Sequence, residues 1–271
     1  IFLKKLGRCQ KVIFYSVDYA DERFENPILN FIYHFLDRVS IFGADFVWNV
    51  STRIVKKRKK LGLKDEKNFF VPNVPRFKEA ERLPESKVDR FNMMMVSGLT
   101  HTPIFSMVLA SLRKLSKKYP KIKLTIIGGG LGERDLKRKV GQMNLSKYVE
   151  FLGQLDHRTL LQTLPKGGIG LALYTKDFPW TYYGDSMKAR EYLASGLPVI
   201  ISNVVSTAED VREGGAGIVI RPTEKELTLA IKRFFDHKDF WTKRRKNAIS
   251  VAKKFDLDQI LDRVFKKAFA G

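Results

Sequence analysis

Gly184-Asp-Ser-Met-Lys-Ala-Arg-Glu-Tyr-Leu-Ala-Ser-Gly-Leu-Pro-Val-Ile-Ile201 contains a loop, a helix over 186–196 and a short apolar strand, Pro198–Ile201. Outward from it the same unit recurs. Strands are expected at Met93–Val96, Lys123–Ile127, Tyr148–Phe151, Gly168–Leu173, Pro198–Ile201 and Gly217–Ile220. Helices are expected near 103–118, 132–142, 157–164, 186–196, 206–213 and 224–235. Short apolar runs separated by helical segments specify an α/β fold with a doubly wound parallel sheet, Rossmann-like in kind.

Before this region, Lys11–Asp18 reads as a strand ending in a carboxylate, followed by an aromatic helix from Pro27 to about Phe42 and a strand at Ala44–Val50. Ser51 is placed to cap a very basic helix, Thr52–Leu61. Phe69–Pro75 is extended, and the polar residues 76–90, with Pro84, read as a linker. Trp241–Phe255 is a basic helix, and Asp256-Leu-Asp258 reads as the cap of a last helix, Gln259–Phe269, which is expected to pack back on the first region.

Composition narrows the function classes. The chain has 271 residues, 44% of them hydrophobic and 12% aromatic, enough to bury a core and to exclude disorder. A single cysteine, Cys9, excludes a disulfide framework and points to a reducing compartment. Fifty Lys+Arg against 29 Asp+Glu give a net charge of +21, spread along the chain rather than held in a tail. Such a surface favours an anionic partner: a membrane surface, nucleic acid or a phosphorylated small molecule. The uncharged stretch Phe91–Leu112, broken only by His101, is punctuated by Ser97-Gly98 and Thr102-Pro103 and reads as strand, loop and helix rather than a membrane span. The four histidines show no zinc spacing, and neither GxSxG nor GxxxxGK[ST] occurs.

Ligands of doubly wound sheets bind where strands lead into helices. Three such loops stand out: Ser97-Gly98, Gly128-Gly129-Gly130, and Tyr182–Ser186. The helix after the third opens with Lys188 and Arg190, cations at the positive end of its dipole. An anion docked on the N–H groups of Ser186 and Met187 relieves that conflict. Lys188 and Glu191 share one helix face; a cation at the tip with a carboxylate one turn deeper suits a diphosphate followed by a ribose diol. The alternative is a surface Lys–Glu pair, with Asp185 already serving the dipole. The glycines at 128–130 allow close approach of a ligand, as they do in any tight turn.

The stretch 184–201 resembles the donor-site helix of the retaining family-four, or group 1, glycosyltransferases, whose pattern there is Ser-x-Lys followed by Glu-Tyr-x-Ala-x-Gly-x-Pro-Val-Ile. Leu124–Gly130, Val149–Gly153, Gly168–Leu173, Asp45–Ser51, Val71–Val74 and the tail helix 258–269 resemble other pieces of the family in its order. The resemblance implies a GT-B fold. Residues 90–255 would bind a nucleotide-sugar donor. Residues 1–80, with a crossover helix at 256–271, would form part of an acceptor-side domain, and the start at Ile1 reads as a fragment lacking the beginning of that domain.

By the same resemblance Glu191 holds the ribose hydroxyls, Ser186, Met187 and Lys188 hold the diphosphate, and Gly98, Gly128, Gly130 and Gly184 belong to the donor loops. Catalytic roles fall to Glu191, Lys188 and Asp185, the last as a relocated sugar-contacting carboxylate. Tyr183 stands eight residues before Glu191, where the family often has a second glutamate, and the first loop, Ser97–His101, lacks the family's Arg and Lys.

The implied activity is transfer of a sugar, a hexose in type, with retention. The leaving phosphate takes the acceptor's proton, and neither metal nor other cofactor is needed. Implied partners are a nucleotide-diphosphate sugar, an acceptor glycan or lipid-linked sugar of the cell envelope and an anionic membrane surface, with no nucleic acid. The implied setting is the cytoplasm or the cytoplasmic face of a membrane. The alternative is a degenerate GT-B domain that acts as a nucleotide-binding or partner subunit.

Overall fold

The computed structural model of the protein describes Lys4, residues 6–100 and residues 103–269. His101 and Thr102 of the first loop, and the last two residues of the expected crossover helix, lie outside the described residues. The first region forms a three-stranded parallel sheet in the order β1-β2-β3, from β1 (Ile13–Ser16), β2 (Phe46–Asn49) and β3 (Asn68–Phe70). Helix α1 (Pro27–Gly43) joins β1 to β2, and α2 (Thr52–Lys60) joins β2 to β3. Ser51 caps α2 as expected, its Oγ accepting from the Ile54 N–H at 3.2 Å. Basic as it is, α2 sends one cation into the core: Arg58 is fully buried and paired with Asp37, its guanidinium 4.8 Å from the Tyr19 ring.

The second region is a six-stranded parallel sheet: β4 (Asp89–Val96), β5 (Lys123–Ile127), β6 (Val149–Gly153), β7 (Gly167–Ala172), β8 (Val199–Ser202) and β9 (Gly217–Ile220). Their order, β6-β5-β4-β7-β8-β9, is the doubly wound arrangement with its reversal between β4 and β7. The connecting helices are α3 (Pro103–Ser116), α4 (Glu133–Gln142), α5 (His157–Thr163), α6 (Met187–Ala194) and α7 (Thr207–Glu213), and α8 (Glu224–Asp236) follows β9. Strand alternation sorts side chains between two cores: Met93 and Met95 enter one with α3 and α8, while Met94 enters the other with α6 and α7. Helices α3 and α6, which leave β4 and β7, therefore lie on opposite faces and open a crevice between them.

One glycine brings α6 to the crevice. A Cβ at Gly170 of β7 would lie 2.4 Å from the Tyr192 ring, so Gly170 lets the Tyr192 side chain approach the sheet closely. The Tyr192 hydroxyl then accepts the Val96 N–H, at the end of β4, at 2.6 Å. Sheet and helix meet at the reversal point.

The tail differs from expectation in two places. Helix α9 (Lys238–Lys254) begins before Trp241, and its basic sequence hides a packed face: Trp241 and Arg245 are buried, with Trp241 Nε1 donating to the Gly168 carbonyl at 2.7 Å. Asp256 takes the N-cap position of α10 (Leu257–Phe269), its carbonyl accepting the Ile260 N–H at 3.0 Å, but the side chains of Asp256 and Asp258 are engaged elsewhere. Asp256 accepts the Phe77 N–H at 3.1 Å and Asp258 pairs with Arg76 at 3.0 Å, stitching α10 to residues 76–77. Ile260 and Val264 of α10 pack with Trp48, Val71 and Val74 of the first region. The segment 76–88 is likewise packed rather than a free linker, with Ala80 buried and Arg82 donating to the Ala194 carbonyl at 3.0 Å.

Candidate functional site

At the carboxyl ends of β4, β5, β6 and β7 lies a cleft of about 530 Å³. Ser97 and Gly98 form one wall, Gly128 and Gly129 the next, Gln154 and Leu155 a third, and Tyr174 with Met187, Lys188 and Glu191 the last. The structure thus gathers Gly98, Gly128, Met187, Lys188 and Glu191 around one space.

Four other residues of the sequence reading are placed differently. Gly130 and Gly184 are not among the residues that line the cleft. Ser186 is buried beneath it: its Oγ caps α6 by accepting the Ala189 N–H at 3.2 Å and bonds the Tyr174 hydroxyl at 2.6 Å. Its N–H, expected to be free for an anion, donates to Thr207 Oγ1 at 2.7 Å. Asp185 is a correction. Its side chain is 1% exposed, accepts from Arg190 and Thr207, and takes the Asn73 N–H at 2.9 Å, so it points away from the cleft. Arg190 is likewise no free cation at the helix tip, since one nitrogen bridges Asp185 at 2.8 Å and Asp210 at 2.6 Å. Although burial works against the charge, the two carboxylates outweigh it and raise the Arg190 pKa. Protein carboxylates resolve that half of the dipole conflict.

Lys188 is the other half. No carboxylate lies within ion-pair distance of it among the described residues, and its Nζ sits 4.7 Å from the centre of the Tyr174 ring. Burial pulls its pKa down to about 8. The N–H groups of Met187 and Lys188 make no hydrogen bond within the described protein. Two N–H donors and a cation therefore converge at one helix end, the arrangement that binds phosphate.

Glu191 lies one turn deeper and is buried, which raises its pKa; His157, with Nε2 at 3.2 Å, works in the opposite direction. His157 opens α5 just after β6, and no spacing in the sequence ties it to Glu191. Tyr174, Gln154 and Leu155 also escaped the sequence reading. A signal was available: all four follow directly on the ends of β6 and β7, where a doubly wound sheet builds its site.

The glycines have separate reasons. Gly128 has φ +137°, and a Cβ there would stand 2.1 Å from the Ser97 carbonyl oxygen, so the second loop stacks on the first. A Cβ at Gly98 would meet nothing within 4 Å. Gly128 is needed by the fold, whereas Gly98 keeps the cleft wall low. Tyr183, at the position of the family's second glutamate, donates to Asp21 Oδ2 at 2.7 Å and packs edge-on against Tyr19.

A model of the family glycosyl transferases group 1 matches residues 77–255, more than half of the chain. Glucosyltransferase 3 of Streptococcus gordonii is 38% identical over 89 residues, 31% of this chain and 27% of that protein. Glycogen synthase of Mycobacterium tuberculosis is 27% identical over 129 residues, 47% of this chain and 30% of that protein. The matched segments thus take in less than a third of either relative. Among solved structures, sucrose-phosphate synthase of Thermosynechococcus elongatus superposes with a TM-score of 0.74 at 18% identity, covering 95% of this chain and 68% of that one. HepE of Anabaena in complex with UDP gives 0.75 at 17% identity, covering 96% and 72%. The fold is of GT-B type, and the chain belongs to the group 1 glycosyl transferases.

Proposed function

We propose that this chain binds a nucleoside-diphosphate sugar in the cleft at β4–β7 and transfers the sugar, with retention and without a metal, to a glycan or lipid-linked acceptor. The observation that supports this best is the end of α6. A desolvated lysine and two N–H donors meet there, with a buried carboxylate one turn deeper. The diphosphate lies on the Met187 and Lys188 N–H groups and the Lys188 ammonium, which stabilise its growing charge as the sugar departs. Glu191 takes the ribose hydroxyls, and the leaving phosphate accepts the acceptor's proton. UDP is the first nucleotide to try, since the similar HepE was solved with it. Residues 90–255 serve the donor, and residues 1–80 with the last helix serve the acceptor at the cytoplasmic face of a membrane. Among the described residues no helix is long and apolar enough to cross one.

A second reading, a nucleotide-binding domain without turnover, is favoured by one observation: Asp185 is turned away and Tyr183 is engaged with Asp21, so neither supplies a carboxylate to the sugar. Incubation with UDP-, GDP- and ADP-glucose separates the two. Release of one nucleotide, abolished by Lys188→Ala, supports transfer; tight binding with no release supports the second reading.

A further inference from the structure

We propose that the cleft between α2 and the Tyr182–Tyr183 turn is a second anion site, which holds the phosphate of a phosphorylated acceptor. Arg53, Lys56, Lys57 and Lys60 recur at helical spacing and share one face of α2. They border a space of about 500 Å³, within the range of small-molecule sites. Across it stand Tyr182, Tyr183 and Glu209, contributed by the second region.

The charges do not cancel there. Arg53 is committed to structure: Nε pairs with Glu209 at 2.9 Å, Nη1 donates to the Tyr182 and Val204 carbonyls at 2.7 and 2.6 Å, and the guanidinium lies 4.3 Å from the Tyr182 ring centre. Lys57 pairs with Asp21 at 2.5 Å. Burial pushes the Asp21 carboxyl up, but Lys57 and the Tyr183 hydroxyl outweigh it and keep the pKa below the usual carboxylate range. Lys56 and Lys60 are exposed, and among the described residues neither has a carboxylate within ion-pair distance. Glu209, the carboxylate facing this space, is already held by Arg53.

Two unpaired ammonium groups one helical turn apart, in a concave site with positive neighbours, suit a compact dianion or trianion. A bilayer surface or a nucleic-acid backbone would meet the rim lysines without entering the space. Position supplies the role: the turn at 182–183 runs straight into Gly184–Ser186 and the tip of α6, so a ligand held here lies beside the donor loop. The role as acceptor rests on the proposed donor reading, whereas the anion site itself does not.

The test is calorimetry with inorganic pyrophosphate at fixed moderate salt. Lys188→Ala removes the donor-site cation; in that variant pyrophosphate still binds. Adding Lys56→Ala and Lys60→Ala, both exposed and outside the core, weakens it at least tenfold. If Lys188→Ala alone abolishes binding, or the triple variant binds as well as Lys188→Ala, the second site is overturned. UDP titrated into the same proteins reports on the donor reading separately, since its loss is expected with Lys188→Ala and not with the α2 substitutions alone. Vesicles containing phosphatidylglycerol distinguish the sources. Displacement of vesicles by pyrophosphate marks a lipid-borne phosphate, and pyrophosphate binding with no vesicle binding marks a soluble one. Vesicle binding that pyrophosphate leaves intact, with no pyrophosphate bound, overturns the proposal in favour of a lipid-facing surface.

Discussion

Helix α6 presents two charged faces that differ in kind. On one, Arg190 is buried between Asp185 and Asp210, with its guanidinium 4.3 Å from the Phe255 ring centre. On the other, Lys188 has lost water without gaining a counter-ion, and Glu191 is buried with a half-exposed histidine as its partner. The first face neutralises its charge within the protein and ties α6 to residue 73 and to α7. The second leaves charge unneutralised at the wall of a cleft. Four residues of one sequence run, Asp185, Lys188, Arg190 and Glu191, thus divide into fold and site, and the division follows partner supply rather than residue type.

The largest effect should come from breaking the first face. Arg190→Met leaves Asp185 and Asp210 buried without their cation and should cost about 3–5 kcal/mol of stability by urea unfolding. A loss below about 1 kcal/mol would mean that the pair is dispensable and the two faces are alike. On the second face the effect should move from stability to binding. Glu191→Gln removes a carboxylate that burial disfavours, so stability should hold or rise, while nucleotide affinity falls by roughly ten- to a hundredfold, the worth of hydrogen bonds to a charged group.

Lys188 carries a pH signature. Its folded pKa, about 8, lies below the usual lysine value, so between about pH 8 and 10.5 the unfolded chain binds the extra proton. The Lys188 contribution to stability therefore rises with pH across that window. Nucleotide affinity should do the reverse, declining above about pH 8 as the ammonium is lost, and Lys188→Met should flatten that decline. The smallest effect belongs to the seam between the two regions. Tyr183→Phe removes one hydrogen bond to Asp21 and should cost about 1 kcal/mol, read as a shift of the urea midpoint at unchanged slope.

Much of this fold is legible in the chain because strand–helix alternation is a local signal. Lys123–Ile127 and Gly217–Ile220 are strands at the bounds expected from their apolar runs and flanking glycines. Lys188 and Glu191 are legible as a pair because helical spacing puts them on one face. Asp185 is not. It precedes the helix, and its direction is decided by Arg190, Thr207 and Asn73, the last more than a hundred residues away. His157 fails for the same reason, since only the closing of β6 beside β5 brings its loop to Glu191. In the tail, a basic pattern concealed the buried Trp241 and Arg245, because long cationic side chains pack their stems whatever their charge.

Whether Glu191 belongs to a nucleotide site is decided by calorimetric titration of UDP, GDP and ADP into the wild-type chain and the Glu191→Gln variant, with a thermal melt of each. One nucleotide should bind at micromolar affinity to the wild type and at least tenfold more weakly to the variant, at an equal or higher melting temperature. Equal affinity in the two proteins, or a variant that binds as before but melts earlier, would contradict that assignment and return Glu191 to the structural face of α6.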